Sequence, residues 1–147
     1  MFKIMTWNVE NLFKPGASSG PSTQAIFDAK IQGLASTINA QAPDALALQE
    51  IGDPEALDDL VQHLQGTWHR RVSNHPDARH IRVGWLARRA ITQPEDIFNF
   101  PPHLEKVQVD DNGETIGTMG RGAVGIIVQS DSGKPVGLSR HISNRNC

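Results

Sequence analysis

Apolar and polar positions along the chain fall into two regimes. From Phe2 to Asn8 a short apolar-rich run ends in a polar residue and predicts a mostly buried strand. The loop Pro15-Gly-Ala-Ser-Ser-Gly-Pro21 follows. Phe27, Ile31, Leu34 and Ile38 then recur at the spacing of one helical face. Ser22 or Thr23 is placed to cap this helix, and Pro43-Asp44 to end it. Ala45–Glu50 predicts a second short strand. Asp53-Pro54 supplies an N-cap and a first-turn proline to a helix whose buried stripe is Leu57, Leu60, Val61 and Leu64, closed by Gly66. Strand, helix, strand, helix is an α/β opening.

After Gly66 the pattern turns to strands. Thr67–Ser73 and Ile81–Arg88 flank the polar loop Asn74–Arg79. Leu104–Val109 and Thr115–Thr118 flank Asp110-Asp-Asn-Gly113, whose Asn-Gly is a hairpin signal. Ala123–Gln129 and Pro135–Ser139 flank Ser130-Asp-Ser-Gly133 and predict another hairpin. Phe98–His103, with Pro101-Pro102, reads as a loop, and the alternation is lost from Ser139 to Cys147.

Length and composition narrow the class. A chain of 147 residues, 38% hydrophobic and 20% charged, is one folded domain's worth of sequence. A net charge of −2 gives no global field toward nucleic acid or membrane. Cys147, the single cysteine, allows neither an internal disulfide nor a Cys-rich zinc site. No apolar run approaches a membrane span, and the N-terminus lacks a signal-peptide pattern, so the expectation is a soluble cytoplasmic protein.

Candidate chemistry lies at two strand ends, Thr6-Trp7-Asn8 and Gln49-Glu50. Ligands of open α/β sheets sit at the carboxyl ends of strands. An amide and a carboxylate delivered there by adjacent parallel strands make a hard, oxygen-rich site suited to Mg²⁺ or Mn²⁺. Asn8 and Glu50 ending their strands in plain solvent is the competing reading. His63, His69, His75 and His80 fall across a helix, a strand and a loop, so they read as solvated rather than as a metal cluster. His69-Arg-Arg71, Arg79, Arg82 and Arg88-Arg89 could line a phosphate groove. Arg70 and Arg71 point to opposite faces of a strand, however, which favours a solvated sheet edge. Trp7 and Trp85 read as core.

Met5-Thr-Trp-Asn-Val-Glu-Asn-Leu-Phe13 followed by Asp44-Ala-Leu-Ala-Leu-Gln-Glu-Ile51 resembles the first two motifs of the endonuclease/exonuclease/phosphatase superfamily. Arg82–Ile91, Arg121–Gln129 and Gly133–Val136 resemble strands that follow in it. The resemblance implies a four-layer α/β/β/α sandwich and a metal-dependent phosphoesterase, with nucleases the foremost substrate class. This chain is then half of that sandwich: one α/β (α+β) domain over residues 1–147, mostly one mixed sheet with helices on one face. By the resemblance Glu50 is the carboxylate ligand of Mg²⁺ or Mn²⁺. Asn8 contacts the same metal site, Arg121 contacts substrate phosphate, and His141 is the counterpart of a catalytic histidine.

The resemblance also implies an Asp-x-Asn motif and an Asp-His pair further along. The chain has no Asp-His dipeptide, and its one Asp-x-Asn, Asp110-Asp-Asn112, belongs to the hairpin turn. The expectation is therefore a truncated or frameshifted N-terminal half, inactive alone. The alternative is a non-catalytic fragment or binding module. With one half missing, one face of the sheet is expected to lie uncovered. Ile4, Leu46, Leu48, Val83, Trp85, Val124, Ile126 and Val128 would share its two faces, half of them stranded, and the chain would self-associate through that patch.

Overall fold

The computed structural model describes residues 1–104, 106–108 and 111–140. The sheet nearest the N-terminus has the order β1-β2-β4-β3, built from β1 (Ile4–Leu12), β2 (Ala45–Ile51), β3 (His69–Val72) and β4 (Arg82–Ala87). β1 and β2 run parallel, and β4 is antiparallel to both β2 and β3. The helix α1 (Gln24–Gln41) joins β1 to β2, and α2 (Pro54–Gln62) joins β2 to β3.

Sequence chemistry accounts for most of these boundaries. The Thr23 hydroxyl accepts the Ile26 N–H at the start of α1. At its end Ala42 is left-handed, donates its N–H to the Ile38 carbonyl, and is followed by Pro43. Asp53 holds the N-cap position of α2 without a side-chain cap bond, because its carboxylate takes the Lys14 N–H at 2.8 Å instead. α2 stops at Gln62, before Gly66, whose positive φ belongs to the turn into β3.

Both helices cover one face of the first sheet. Phe27, Ile31, Leu34 and Ile38 of α1 and Leu57 and Leu60 of α2 share a buried cluster with Leu46, Leu48 and Leu86. The α/β class and the mixed sheet with helices on one face stand.

The uncovered second face does not stand. A second sheet, order β5-β8-β9, is built from β5 (Thr92–Asn99), β8 (Thr118–Gln129) and β9 (Pro135–Arg140). Val124, Ile126 and Val128 of β8 share a buried cluster with Ala45, Ala47, Val83, Trp85 and Ala87 of the first sheet. The Trp85 indole N–H crosses this seam to the Val124 carbonyl at 2.9 Å. Of the eight residues expected to be partly stranded, Ile4 alone is exposed. The inner face of β8 provides the missing cover, so self-association through a bare sheet face loses its premise.

Four other expectations shift. β1 runs past Asn8 to Leu12, because Val9 and Leu12 are buried in the helix-side core beyond the polar Asn8. β5 includes part of the expected loop. Pro94 and two acids disguise it, and it lies at the edge of its sheet, where proline's missing N–H is tolerated. The Asn-Gly hairpin pairs β6 (Val107–Gln108) with β7 (Thr115–Ile116), with Glu105, Val109 and Asp110 outside the described residues. β9 includes Ser139 and Arg140; the rest of the expected irregular tail, residues 141–147, lies outside the described residues.

Candidate metal and phosphate site

β1 and β2 are neighbours with Asn8 opposite Gln49, so Asn8 and Glu50 come to the finishing end of two adjacent parallel strands. The end is irregular in both strands. The register slips between Asn8 and Leu12 on β1 and between Gln49 and Ile51 on β2. Across from β2, Gln49 pairs with Val83 and Ile51 with the next residue, Arg82, which makes Glu50 the extra residue of a β-bulge. Its φ is 61°. A bulge re-aims a side chain, and a glutamate at positive φ is held there by its surroundings at a local cost. Glu10 and Asn11, at φ 52° and 55°, are left-handed too.

These distortions leave several side-chain oxygens along the finishing ends of β1 and β2. A Glu50 carboxylate oxygen faces the Asn11 N–H at 3.3 Å. The Asn8 side-chain oxygen accepts the Glu10 N–H at 2.9 Å, and Asn8 is exposed. Asn11 Oδ1 is buried with no hydrogen-bond partner. The Lys30 ammonium bonds the Glu10 carbonyl and lies 3.4 Å from the Asn11 carbonyl. Burial pushes the Lys30 pKa down, and the charges of Glu10 and Glu50 offset this only in part. Behind the site Phe13 lies flat over Gly52, where any Cβ would fall 2.3 Å from the ring. This fixes the turn that follows Glu50.

The chemistry of these groups, a carboxylate and two amide oxygens, is that of hard donors, which suit Mg²⁺ or Mn²⁺ better than a thiolate-seeking metal. Among the described residues no group of three or more His, Cys, Asp or Glu side chains is placed to hold a metal. The four histidines are accordingly apart: His63 closes α2, His69 lies in β3, His75 stacks on Phe98 at 4.6 Å, and His80 is exposed.

Arg121 sits away from solvent. Its side chain is 4% exposed, and Nε donates to Asp77 at 2.8 Å. Burial pushes the Asp77 carboxyl up, but the Ile81 N–H, the Arg121 guanidinium and the Arg79 N–H outweigh it and hold the carboxyl below its ordinary value. The same loop is pinned to the second sheet. The Ser73 hydroxyl and the Asn74 N–H both donate to Asp96 of β5, at 2.8 and 2.7 Å. Gly122 passes so close that a Cβ would lie 2.2 Å from the Ser73 oxygen.

The finishing end of β3 opens on a cavity of about 320 Å³ lined by Pro54, Arg70, Arg71, Val72, Ser73, Asn74 and Arg82. Arg70 and Arg71 do point apart, to Asp58 of α2 and Asp96 of β5. Both still line the cavity, because β3 is an edge strand with its outer side open. Arg71 Nε is buried without a partner, an omission that costs about 1–3 kcal/mol.

The fold agrees with the comparisons. Residues 5–137 match the model of the Endonuclease/Exonuclease/phosphatase family. The chain belongs to that family. Among solved structures it is similar to an endonuclease/exonuclease/phosphatase family protein from Leptotrichia buccalis, with 17% identity, a TM-score of 0.60, and coverage of 98% of this chain and 54% of that one. It is also similar to TDP2 from Caenorhabditis elegans, with 18% identity, a TM-score of 0.59, and coverage of 98% of this chain and 36% of the other. A family protein from Bacteroides thetaiotaomicron gives 13% identity and a TM-score of 0.58 over 94% of this chain and 47% of that one. The chain thus spans about half, or less, of the length of these structures. No curated protein matches the sequence.

Of the residues singled out in the sequence, Asn8 and Glu50 share one strand end, Arg121 lies in the buried pair with Asp77, and His141 lies outside the described residues. Asn11 and Lys30 were not singled out. The one signal for Asn11 was the polar pair Glu10-Asn11 inside an otherwise strand-like run. Lys30 carried none, because its position on α1 reads as plain solvent.

Proposed function

We propose that the chain carries part of the active site of a divalent-metal-dependent phosphoesterase, in the manner of an endonuclease/exonuclease-type phosphodiesterase. The observation that carries this reading is Glu50, the extra residue of a bulge at φ 61°, with its carboxylate at the end of β1. Glu50 would supply the charged oxygen to Mg²⁺ or Mn²⁺, and Asn8 and Asn11 the neutral ones. The metal, when bound, offsets charge on the phosphoryl oxygens and the leaving group. Lys30, tied to the carbonyls of Glu10 and Asn11, keeps the β1 bulge in place. His141 belongs to this reading as the catalytic histidine, and Arg121 as a phosphate-side cation that would reach substrate only once its buried pair with Asp77 opens.

A second reading, a module that binds a phosphate ester without turning it over, is favoured by the sparse set of candidate metal ligands described at this end. Metal catalysis of hydrolysis needs an activated water as well as a metal ligand. Among the described residues no group of three or more His, Cys, Asp or Glu side chains is placed to hold a metal. We therefore expect these 147 residues to bind metal weakly and hydrolyse DNA or bis(4-nitrophenyl) phosphate at background. Mn²⁺ should raise the melting temperature of the wild type and not of Glu50→Gln. EDTA-sensitive hydrolysis that Glu50→Ala abolishes would refute the second reading. An Mn²⁺ effect indifferent to Glu50→Gln would refute the first.

A further inference from the structure

We infer that the arginine-lined cavity at the end of β3 is a second phosphate subsite, which takes the phosphate adjacent to the reacting one in a polyanionic substrate such as a single nucleic-acid strand. This rests on the phosphoesterase reading of Glu50 for its place in the reaction, but not for its capacity to bind.

Position is the first ground. β2 and β3 are both antiparallel to β4, so their finishing ends lie at the same edge of the sheet. Arg82, which opens β4, pairs with Ile51, the residue after Glu50. The cavity therefore lies along the same sheet edge as Glu50, with Arg82 of β4 between them. A phosphate chain held at Glu50 and laid along this edge toward β3 would meet it.

Charge is the second ground. Three guanidiniums, Arg70, Arg71 and Arg82, line the cavity. Arg70 is neutralised by Asp58 at 2.6 Å. Arg71 lies 3.8 Å from Asp96, a carboxylate already bonded by the Ser73 hydroxyl and the Asn74 N–H. Arg82 donates to the carbonyls of Gly52 and His80, and no carboxylate among the described residues pairs with it. The cavity keeps net positive charge, and Arg71 Nε keeps an unused donor in its wall. Arginine's fixed fork of donors suits phosphate oxygens. The cavity's volume, about 320 Å³, is ample for a phosphate with its flanking sugar.

The test is binding of a fluorescein-labelled thymidine octanucleotide to the full chain, read by anisotropy in EDTA so that no metal takes part. Arg82→Gln should weaken binding about tenfold and flatten the salt dependence by roughly one phosphate contact. Arg82 also braces Gly52, so a second pair of variants avoids that contact. The Asn74 side chain is exposed on the cavity wall. Asn74→Asp should weaken binding and Asn74→Lys strengthen it, each severalfold. Octanucleotide affinity unmoved by all three variants would overturn the subsite. Inorganic phosphate competing at the octanucleotide's own concentration would also overturn it, since the cavity would then serve a free oxyanion. Glu50→Gln separates the two readings. Octanucleotide binding that survives it in EDTA while Mn²⁺ binding is lost supports both. Octanucleotide binding lost on Glu50→Gln in EDTA overturns the separate cavity site. Mn²⁺ binding unchanged by Glu50→Gln, with the octanucleotide results as predicted, removes the metal site and leaves the cavity.

Discussion

The two ends of the β1–β2 pair are built on opposite terms. Where the strands begin, the polar groups are matched. The Lys3 N–H meets the Asp44 carboxylate at 2.7 Å, and the Asp44 and Ala45 N–H groups return to the Lys3 carbonyl. Arg88 closes that end by donating to the carbonyls of Pro43 and Gln65 while stacking on Trp68 at 4.5 Å. Where the strands finish, three non-glycine residues sit at positive φ, both registers slip, and a buried amide oxygen has no partner. One end stores stability and the other stores strain. Strain of this kind persists where the surrounding structure over-determines it, and it collects at functional sites. In this chain the surroundings are the helix-side core and the seam between the sheets.

That contrast can be tested from its strongest element downward. Trp85→Ala should cost about 3–5 kcal/mol in urea unfolding, because it opens the seam and strands the Val124 carbonyl. Loss of one sheet's signal ahead of the other would mean that the two ends do not share one cooperative unit. Asp77→Asn leaves Arg121 buried beside a neutral amide and should cost about 3 kcal/mol near pH 7. The Asp77 carboxyl is held below its ordinary 3.8, so its contribution is complete above that pH and is lost as pH falls through the lower folded value. The stability gap between wild type and Asp77→Asn should therefore narrow below about pH 4, and a gap flat with pH would contradict the pairing. Arg88→Ala should cost about 2 kcal/mol through lost charged hydrogen bonds and the Trp68 contact. Glu50→Gly is the smallest change and carries the opposite sign. Relief of a left-handed glutamate should leave stability unchanged or raise it by up to about 1 kcal/mol, with metal binding lost.

The sequence made the starting half of this architecture legible because its elements follow simple periods. α1 was marked by Phe27, Ile31, Leu34 and Ile38, and α2 by Asp53-Pro54, and both lie where the spacing puts them. β5 was hidden by Pro94, Glu95 and Asp96, since an edge strand needs neither full pairing nor an apolar run. With β5 unseen, the second sheet could not be assembled, and the inner residues of β8 were left without a sheet to face. At the site, Asn8 and Glu50 could be placed at one strand end from the two motifs. The bulge at Glu50, the orphaned oxygen of Asn11 and the shared cavity of Arg70, Arg71 and Arg82 depend on register slips and an open strand edge, which no period of two encodes.

On the proposed phosphoesterase reading, the strain around Glu50 exists to hold a cation. A ¹H–¹⁵N spectrum of the chain with substoichiometric Mn²⁺ tests it most directly, because the paramagnetic ion erases signals nearest to it first. The side-chain amides of Asn8 and Asn11 and the backbone amide of Glu50 should bleach before all others, and excess Mg²⁺ should restore them. Glu50→Gln should abolish the effect without loss of the folded spectrum. Bleaching centred on the exposed acids of α2, or unchanged in Glu50→Gln, would contradict the account.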